Sequence, residues 1–171
     1  SNLDDLTIMQ AINYQPPNFV DKQEQCQQVQ IAYDRVKFWQ HFLKHDPEGN
    51  LQNQIKALGE AKELLLMVKE LIQNKQDQNV VSLIQMKDAS LKPNGLIPSN
   101  LQNKMVEINI SQSNNDQEKT LRKIEEAIIL IDELKSEYNQ MYNDSQNFPT
   151  YAELLKIKNE QLKNNLEQCE K

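Results

Sequence analysis

The stretch LQNQIKALGEAKELLLMVKELIQNK, Leu51–Lys75, decides the fold class. Its apolar residues Leu51, Ile55, Leu58, Ala61, Leu65, Val68 and Ile72 step by four or three along the whole length. That is the period of one helix face, not of a strand. Leu64, Met67 and Leu71 add a second row beside the first, and a face that wide needs at least two partner helices to cover it.

Upstream, Val20 to about His45 reads as a second long helix. Cys26, Val29, Tyr33, Val36 and Leu43 form its stripe, widened by Ala32, Trp39 and Phe42. Asp46-Pro47-Glu48-Gly49-Asn50 then breaks it, because proline lacks a donor and glycine admits φ > 0. The short break predicts an antiparallel hairpin between this helix and the one from Leu51. Before it, LDDLTIMQAINY reads as a short helix lying across the bundle as a lid. Asp4 or Asp5 is its expected cap, and Pro16-Pro17 end it.

Downstream the periodicity weakens. Residues 76–115 read as an irregular connection with a short helix around Val80–Met86 and another after Pro98. SQSNNDQEK, Ser111–Lys119, reads as a mobile link or an extended helix start. A further long helix runs from about Asp116 to Asn143 on Leu121, Ile124, Ile128, Ile131, Leu134, Tyr138, Met141 and Tyr142. Thr150-Tyr151-Ala152-Glu153 has the form of a capping box. It opens a last helix, about 150–170, with Tyr151, Leu155, Leu162, Leu166 and Cys169 on a stripe that Lys158 and Asn159 interrupt. This helix is either a docked arm or a seam completed by another chain. The expectation is therefore all-α: an antiparallel helical bundle of three to four long helices with short accessory helices, forming one domain over residues 1–171.

Composition narrows the function. Only 3 glycines and 6 prolines punctuate 171 residues, which favours long helices over a strand-and-turn fold. Gln and Asn make up about a quarter of the chain, dispersed through the periodic segments as an uncharged solvated face. The net charge of -6 argues against nucleic-acid binding, which needs Lys and Arg to neutralise phosphates. The locally basic run LLKIKNEQLK, with Lys156, Lys158 and Lys163, reads as a solvated helix face. The longest apolar runs, LLLMV and AIILI, are far too short to span a membrane. Ser1-Asn2 reads as a cleavage remnant, and no signal peptide is expected. Cys26 and Cys169 match no CxxC or Cys/His spacing, and two lone thiols predict a reducing, cytoplasmic compartment, or a host cytosol for a delivered effector.

The chemistry-bearing residues are few. His41 and His45 stand at i and i+4, so they share a helix face and suit a metal pair. However, Phe42 follows the first histidine where the HExxH motif needs Glu. The favoured reading places His45 at a helix C-terminus, where the dipole suits it. No GxSxG or glycine-rich phosphate loop occurs, and adjacent carboxylates such as Glu125/Glu126 diverge around a helix. The expectation is a non-enzymatic protein with no catalytic residues, no metal and no cofactor. Phe38 and Trp39 either close the end of a bundle or form an aromatic hot spot.

GLIPSNLQNKMVEI, Gly95–Ile108, followed by TLRKIEEAIILIDELKSEY, Thr120–Tyr138, resembles one stretch of the V-shaped helical domain of Bro1/ALIX-type adaptors. NFPTYAELLKIKNEQL, Asn147–Leu162, is similar to the aromatic-plus-EL segment opening a late helix of that domain. The resemblance covers the C-terminal half. It implies a non-enzymatic adaptor that binds short peptides or ubiquitin in membrane-remodelling pathways, and it transfers no individual binding residue. Together these readings predict an interaction module, a scaffold, adaptor or assembly subunit, whose partner is another protein. Leu155, Leu162, Leu166, Tyr151, Phe38 and Trp39 are its expected contacts, and the last helix is its expected route to self-association. The alternatives are a secreted bacterial effector binding a host protein and a metal-dependent enzyme using His41/His45.

Overall fold

The computed structural model describes residues 3–18, 20–74 and 99–169. The fold is all-α: every regular element among the described residues is helical. Among the described residues the α-helices are α1 (Ile8–Asn13), α2 (Lys22–Lys44), α3 (Pro47–Gln73), α4 (Ser99–Ser113), α5 (Gln117–Asn143) and α6 (Phe148–Cys169), with 3₁₀ turns at Leu3–Asp5 and Ser145–Asn147. The short helix expected around Val80–Met86 lies outside the described residues.

The helices group into two compact units. A terminal unit joins the chain up to Glu48 with the chain from Asp144 onward, so it holds α1, α2 and α6. A central unit, Gly49–Asn143, holds α3, α4 and α5. The hairpin expected between α2 and α3 would join helices of different units. α2 packs on α6, while α3 belongs to the central unit.

In the terminal unit α1 packs on both α2 and α6. Its cap is Thr7, not Asp4 or Asp5: the Thr7 hydroxyl accepts from Gln10 N–H at 3.2 Å and Gln10 Oε1 accepts from Thr7 N–H at 3.0 Å. This is a capping box, satisfying two orphan donors at once. Asp21 caps α2 by accepting from Gln23 N–H at 2.9 Å. α2 ends sharply, because Asp46 has a φ of 47° and Pro47 opens α3 at once, a favoured place for proline. α3 therefore starts four residues before the Leu51 that the apolar pattern marked.

α6 also starts early, at Phe148, with Pro149 in its first turn. Thr150 lies inside the helix, so the capping box expected there is not its start. Asp144 organises this corner instead. It accepts from Asn147 Nδ2 at 2.5 Å and from the Tyr151 hydroxyl. The Tyr151 bond, then the Asn147 bond, hold the Asp144 carboxyl below its ordinary range.

In the central unit α3 and α5 run antiparallel. Gln52 Nε2 donates to the Tyr142 hydroxyl at 2.9 Å, Lys62 pairs with Asp132 at 2.8 Å, and Lys69 pairs with Glu125 at 3.2 Å. α4 packs on α5. The polar stretch between them is a tight turn and not a mobile link: Asn115 takes a φ of 57° and Asp116 accepts from Lys119 N–H at 3.1 Å. Asparagine tolerates the left-handed region better than most residues. Lys104 and Lys123 alternate with Glu107 and Glu126 across the α4–α5 pair, the shortest separation being 2.6 Å between Lys104 and Glu126. That bond leads in raising the Lys104 pKa and lowering that of Glu126. These side chains are partly exposed, so the network sets register more than stability.

The buried residues trace heptads. On α3 they are Leu51, Gln54, Leu58, Ala61, Leu65, Val68 and Ile72, and on α5 Thr120, Ile124, Ala127, Ile131, Leu134 and Tyr138. Both alternate steps of three and four, the spacing of a helix–helix seam. The polar members Gln54 and Thr120 take places that an apolar tracing gave to Ile55 and Leu121. Thr120 is satisfied locally: its hydroxyl lies 2.7 Å from the Asp116 carbonyl and 2.9 Å from Ser111 Oγ, which itself donates to the Ile108 carbonyl at 3.1 Å.

Candidate functional site

α2 and α6 carry all six residues expected to meet a partner, and their placement divides them. Trp39, Leu155 and Leu162 are buried, the two leucines at 0% and 1% exposure. They are core and not surface, which corrects their assignment as contacts. Phe38, Tyr151 and Leu166 are half-buried. Trp39 donates its indole N–H to the Leu6 carbonyl at 2.8 Å, and Arg35 Nε donates to the same oxygen at 3.0 Å. A carbonyl has two lone pairs, so both bonds form together. The Arg35 guanidinium lies 4.2 Å from the Phe38 ring centroid and 5.0 Å from that of Trp39, within cation–π range. Phe38, Trp39 and Phe42 meet edge-to-face. This cluster pins the segment before α1 onto α2.

His41 and His45 are exposed, with ring centroids 4.0 Å apart. No set of three or more His, Cys, Asp or Glu side chains arranged to hold a metal occurs among the described residues.

Lys158 completes the α6 stripe instead of interrupting it. With Phe148, Leu155 and Leu162 it is one of the buried residues of that helix, at 5% exposure. Its ammonium donates to the Tyr14 carbonyl at 2.7 Å, across the chain from α1. Burial lowers its pKa below the ordinary 10.5, because the charged form loses its water. The Tyr14 hydroxyl is also buried, without a hydrogen-bond partner among the described residues, and burial raises its pKa. Of the basic run around it, Lys156 and Lys163 are exposed as expected.

Lys158→Ala is expected to lower stability by about 2 kcal/mol at neutral pH, through lost packing and an orphaned carbonyl. Lys158→Met, which keeps the stem, should cost less. The folded state holds fewer protons than the unfolded one between the lowered pKa and 10.5. Wild-type stability thus gains as pH rises through that window, and the Met variant lacks the gain. Urea titrations read by Trp39 fluorescence at pH 7 and pH 9.5 should therefore show the difference widening in favour of wild type.

Beyond Lys158 the α2–α6 pair is joined by Gln40 and Asn159, 2.8 Å apart, and at its far end by a disulfide between Cys26 and Cys169, whose Cα atoms are 6.0 Å apart. The two cysteines are thus not lone thiols. They line an open groove of about 340 Å³ with Pro16, Lys22, Val29 and Asn165.

No protein-family model, no curated protein and no solved structure matches this chain. No helix among the described residues is long and apolar enough to cross a membrane.

Proposed function

We propose that the protein is a non-enzymatic interaction module, a scaffold or adaptor that recognises another protein through the outer face of α6. One observation carries this reading. Leu154 and Ile157 are 38% and 55% exposed, three residues apart on one face of that helix. The stripe that packs on α2 does not use them. Half-buried Tyr151 lies one turn before Leu154, and exposed Glu153, Lys156 and Glu160 supply a polar rim. An apolar centre with a charged edge is the usual anatomy of a recognition patch. An adaptor role is also what the Bro1/ALIX-type resemblance implies.

Leu154→Glu/Ile157→Glu changes two exposed positions, so its melting temperature should stay within about 2 °C of wild type. Affinity capture from the source or host lysate should lose its stoichiometric partner in this variant, and sedimentation equilibrium reads whether the partner is a second copy. A partner retained equally by both proteins would sink the assignment of this face.

A second reading concerns where the protein works. The disulfide supports an oxidising compartment, where such bonds persist. The cytoplasmic expectation rested on two free thiols. Export, as for an effector delivered to a host, accommodates the bond.

A further inference from the structure

We propose that the Cys26–Cys169 disulfide is a reducible clasp. Reduction by a dithiol frees the last turns of α6 and the first turns of α2 while the rest of the terminal unit stays folded. The argument rests on where burial stops. The last buried residue of α6 is Leu162, and the first of α2 is Val29. Beyond Leu162, only Asn165, Leu166 and Cys169 are even half-buried up to the end of the helix. Before Val29, residues 22–28 are exposed or half-buried. No buried apolar side chain therefore fastens either helix end, and the covalent bond at their tip does. Helical turns without buried contacts open at low free energy.

The groove gives a reductant its approach. It is open and reaches both sulfur-bearing residues, and its lining is mainly polar, with Lys22, Gln25, Asn165 and Gln168. Lys22 stands four residues before Cys26, on the same face of α2. It brings positive charge into the groove that Cys26 also lines, and positive charge favours a thiolate as leaving group. One thiolate of the dithiol attacks Cys169 Sγ, the S–S bond breaks, and Cys26 leaves as a thiolate. The second thiol of the reductant then attacks its partner's sulfur in the mixed disulfide, closing a cyclic disulfide and releasing Cys169. Two electrons pass to the protein, and the reductant's two thiol protons end on Cys26 and Cys169. The same chain thus has a closed end in an oxidising compartment and an open one where dithiols are abundant.

The test is pulsed hydrogen exchange on the full chain, with labelling for a few seconds, with and without dithiothreitol under native conditions. The Cys26→Ser/Cys169→Ser variant serves as a permanently open reference. Amides of residues 163–169 and 25–28 should exchange about tenfold faster or more after reduction, and the variant should match the reduced protein with or without reductant. Amides of residues 29–42 and 151–162 should stay protected in the pulse, and Trp39 emission should not move. Three results would overturn the proposal: labelling of residues 29–42 in the same pulse, unchanged exchange at both helix ends, or a bond that resists dithiothreitol until urea is added.

Discussion

Leu155→Asp/Leu162→Asp is expected to unfold the terminal unit, not to strip a binding surface from a folded protein. Both leucines are fully buried on the stripe of α6 that packs on α2. Each substitution forfeits about 2–3 kcal/mol of apolar burial and places a carboxylate where water is excluded. Together they exceed about 5 kcal/mol, the lower end of whole-domain stability. Lys158 stands three residues after Leu155 and four before Leu162, so its ammonium is placed to pair with one new carboxylate but not with both. The single variants should therefore be milder than the double. Trp39, the 1 tryptophan of the chain, sits in this unit and reports on it. Its emission should shift to that of a solvated indole. Far-UV ellipticity should fall only in part, since α3, α4 and α5 belong to the central unit. A double variant with buried Trp39 emission and an unchanged melting temperature would return both leucines to the surface. It follows that a partner lost in this variant says nothing about where the partner docks, whereas Leu154 and Ile157 test that directly.

What was legible in the sequence, and what was not, has a common physical cause. Long helices announce themselves through apolar residues at steps of three and four, and α2, α3, α5 and α6 stand where that period placed them. The errors fall on polar residues that occupy seam positions. Gln54, Thr120 and Lys158 are buried at heptad positions, but each looks like a gap when only apolar residues are traced. The α6 stripe seemed thin for this reason, and a thin stripe invited the reading of Leu155 and Leu162 as an unfinished seam. Lys158 fills that gap by extending its stem through the core and bonding the Tyr14 carbonyl, a partner 144 positions away that no local pattern reveals.

Helix ends were misplaced where capping depends on geometry. Pro47 counts as a breaker in the sequence, yet it sits in the first turn of α3, as Pro149 does in α6, the one place where a missing N–H costs nothing. Thr150 and Glu153 have the right spacing for a capping box, but so do Thr7 and Gln10, and only the second pair lies at a helix start. The disulfide also has a signal in the sequence. Cys26 begins the stripe of α2 and Cys169 ends the stripe of α6. Two antiparallel helices packed along those stripes must bring the two ends together. A pairing of α2 with α3 alone gives Cys169 no reason to be near Cys26.

Cys26→Ser/Cys169→Ser is expected to lower the unfolding free energy of the terminal unit by about 3 kcal/mol at 25 °C. The bond joins residues 143 positions apart. If the whole loop were flexible once the unit unfolds, the chain-entropy term would reach about 5 kcal/mol. It is not all flexible, because the entire central unit lies inside that loop. Its first and last helices run antiparallel, with Gln52 bonded to Tyr142 near the two chain junctions. A folded insert with its ends close together spans the loop almost like a short link. The effective loop is then the terminal unit's own chain, about a third of the full length, and closure entropy falls by about 1 kcal/mol because it grows only with the logarithm of length. Residual structure in the reduced unfolded state takes a further share. Destabilising the central unit should therefore change the disulfide's contribution, although the bond itself is elsewhere in the sequence. Leu65→Ala, at a fully buried position of α3, provides that background at a cost of about 3 kcal/mol to the central unit. Urea unfolding read by Trp39 should show a larger loss on removing the disulfide in the Leu65→Ala background than in wild type, by up to about 1 kcal/mol. Equal losses would mean that the central unit is unfolded in both backgrounds when the terminal unit opens, or folded in both. Ellipticity followed through the same titration separates these two cases, since helicity that outlasts the Trp39 transition belongs to the central unit.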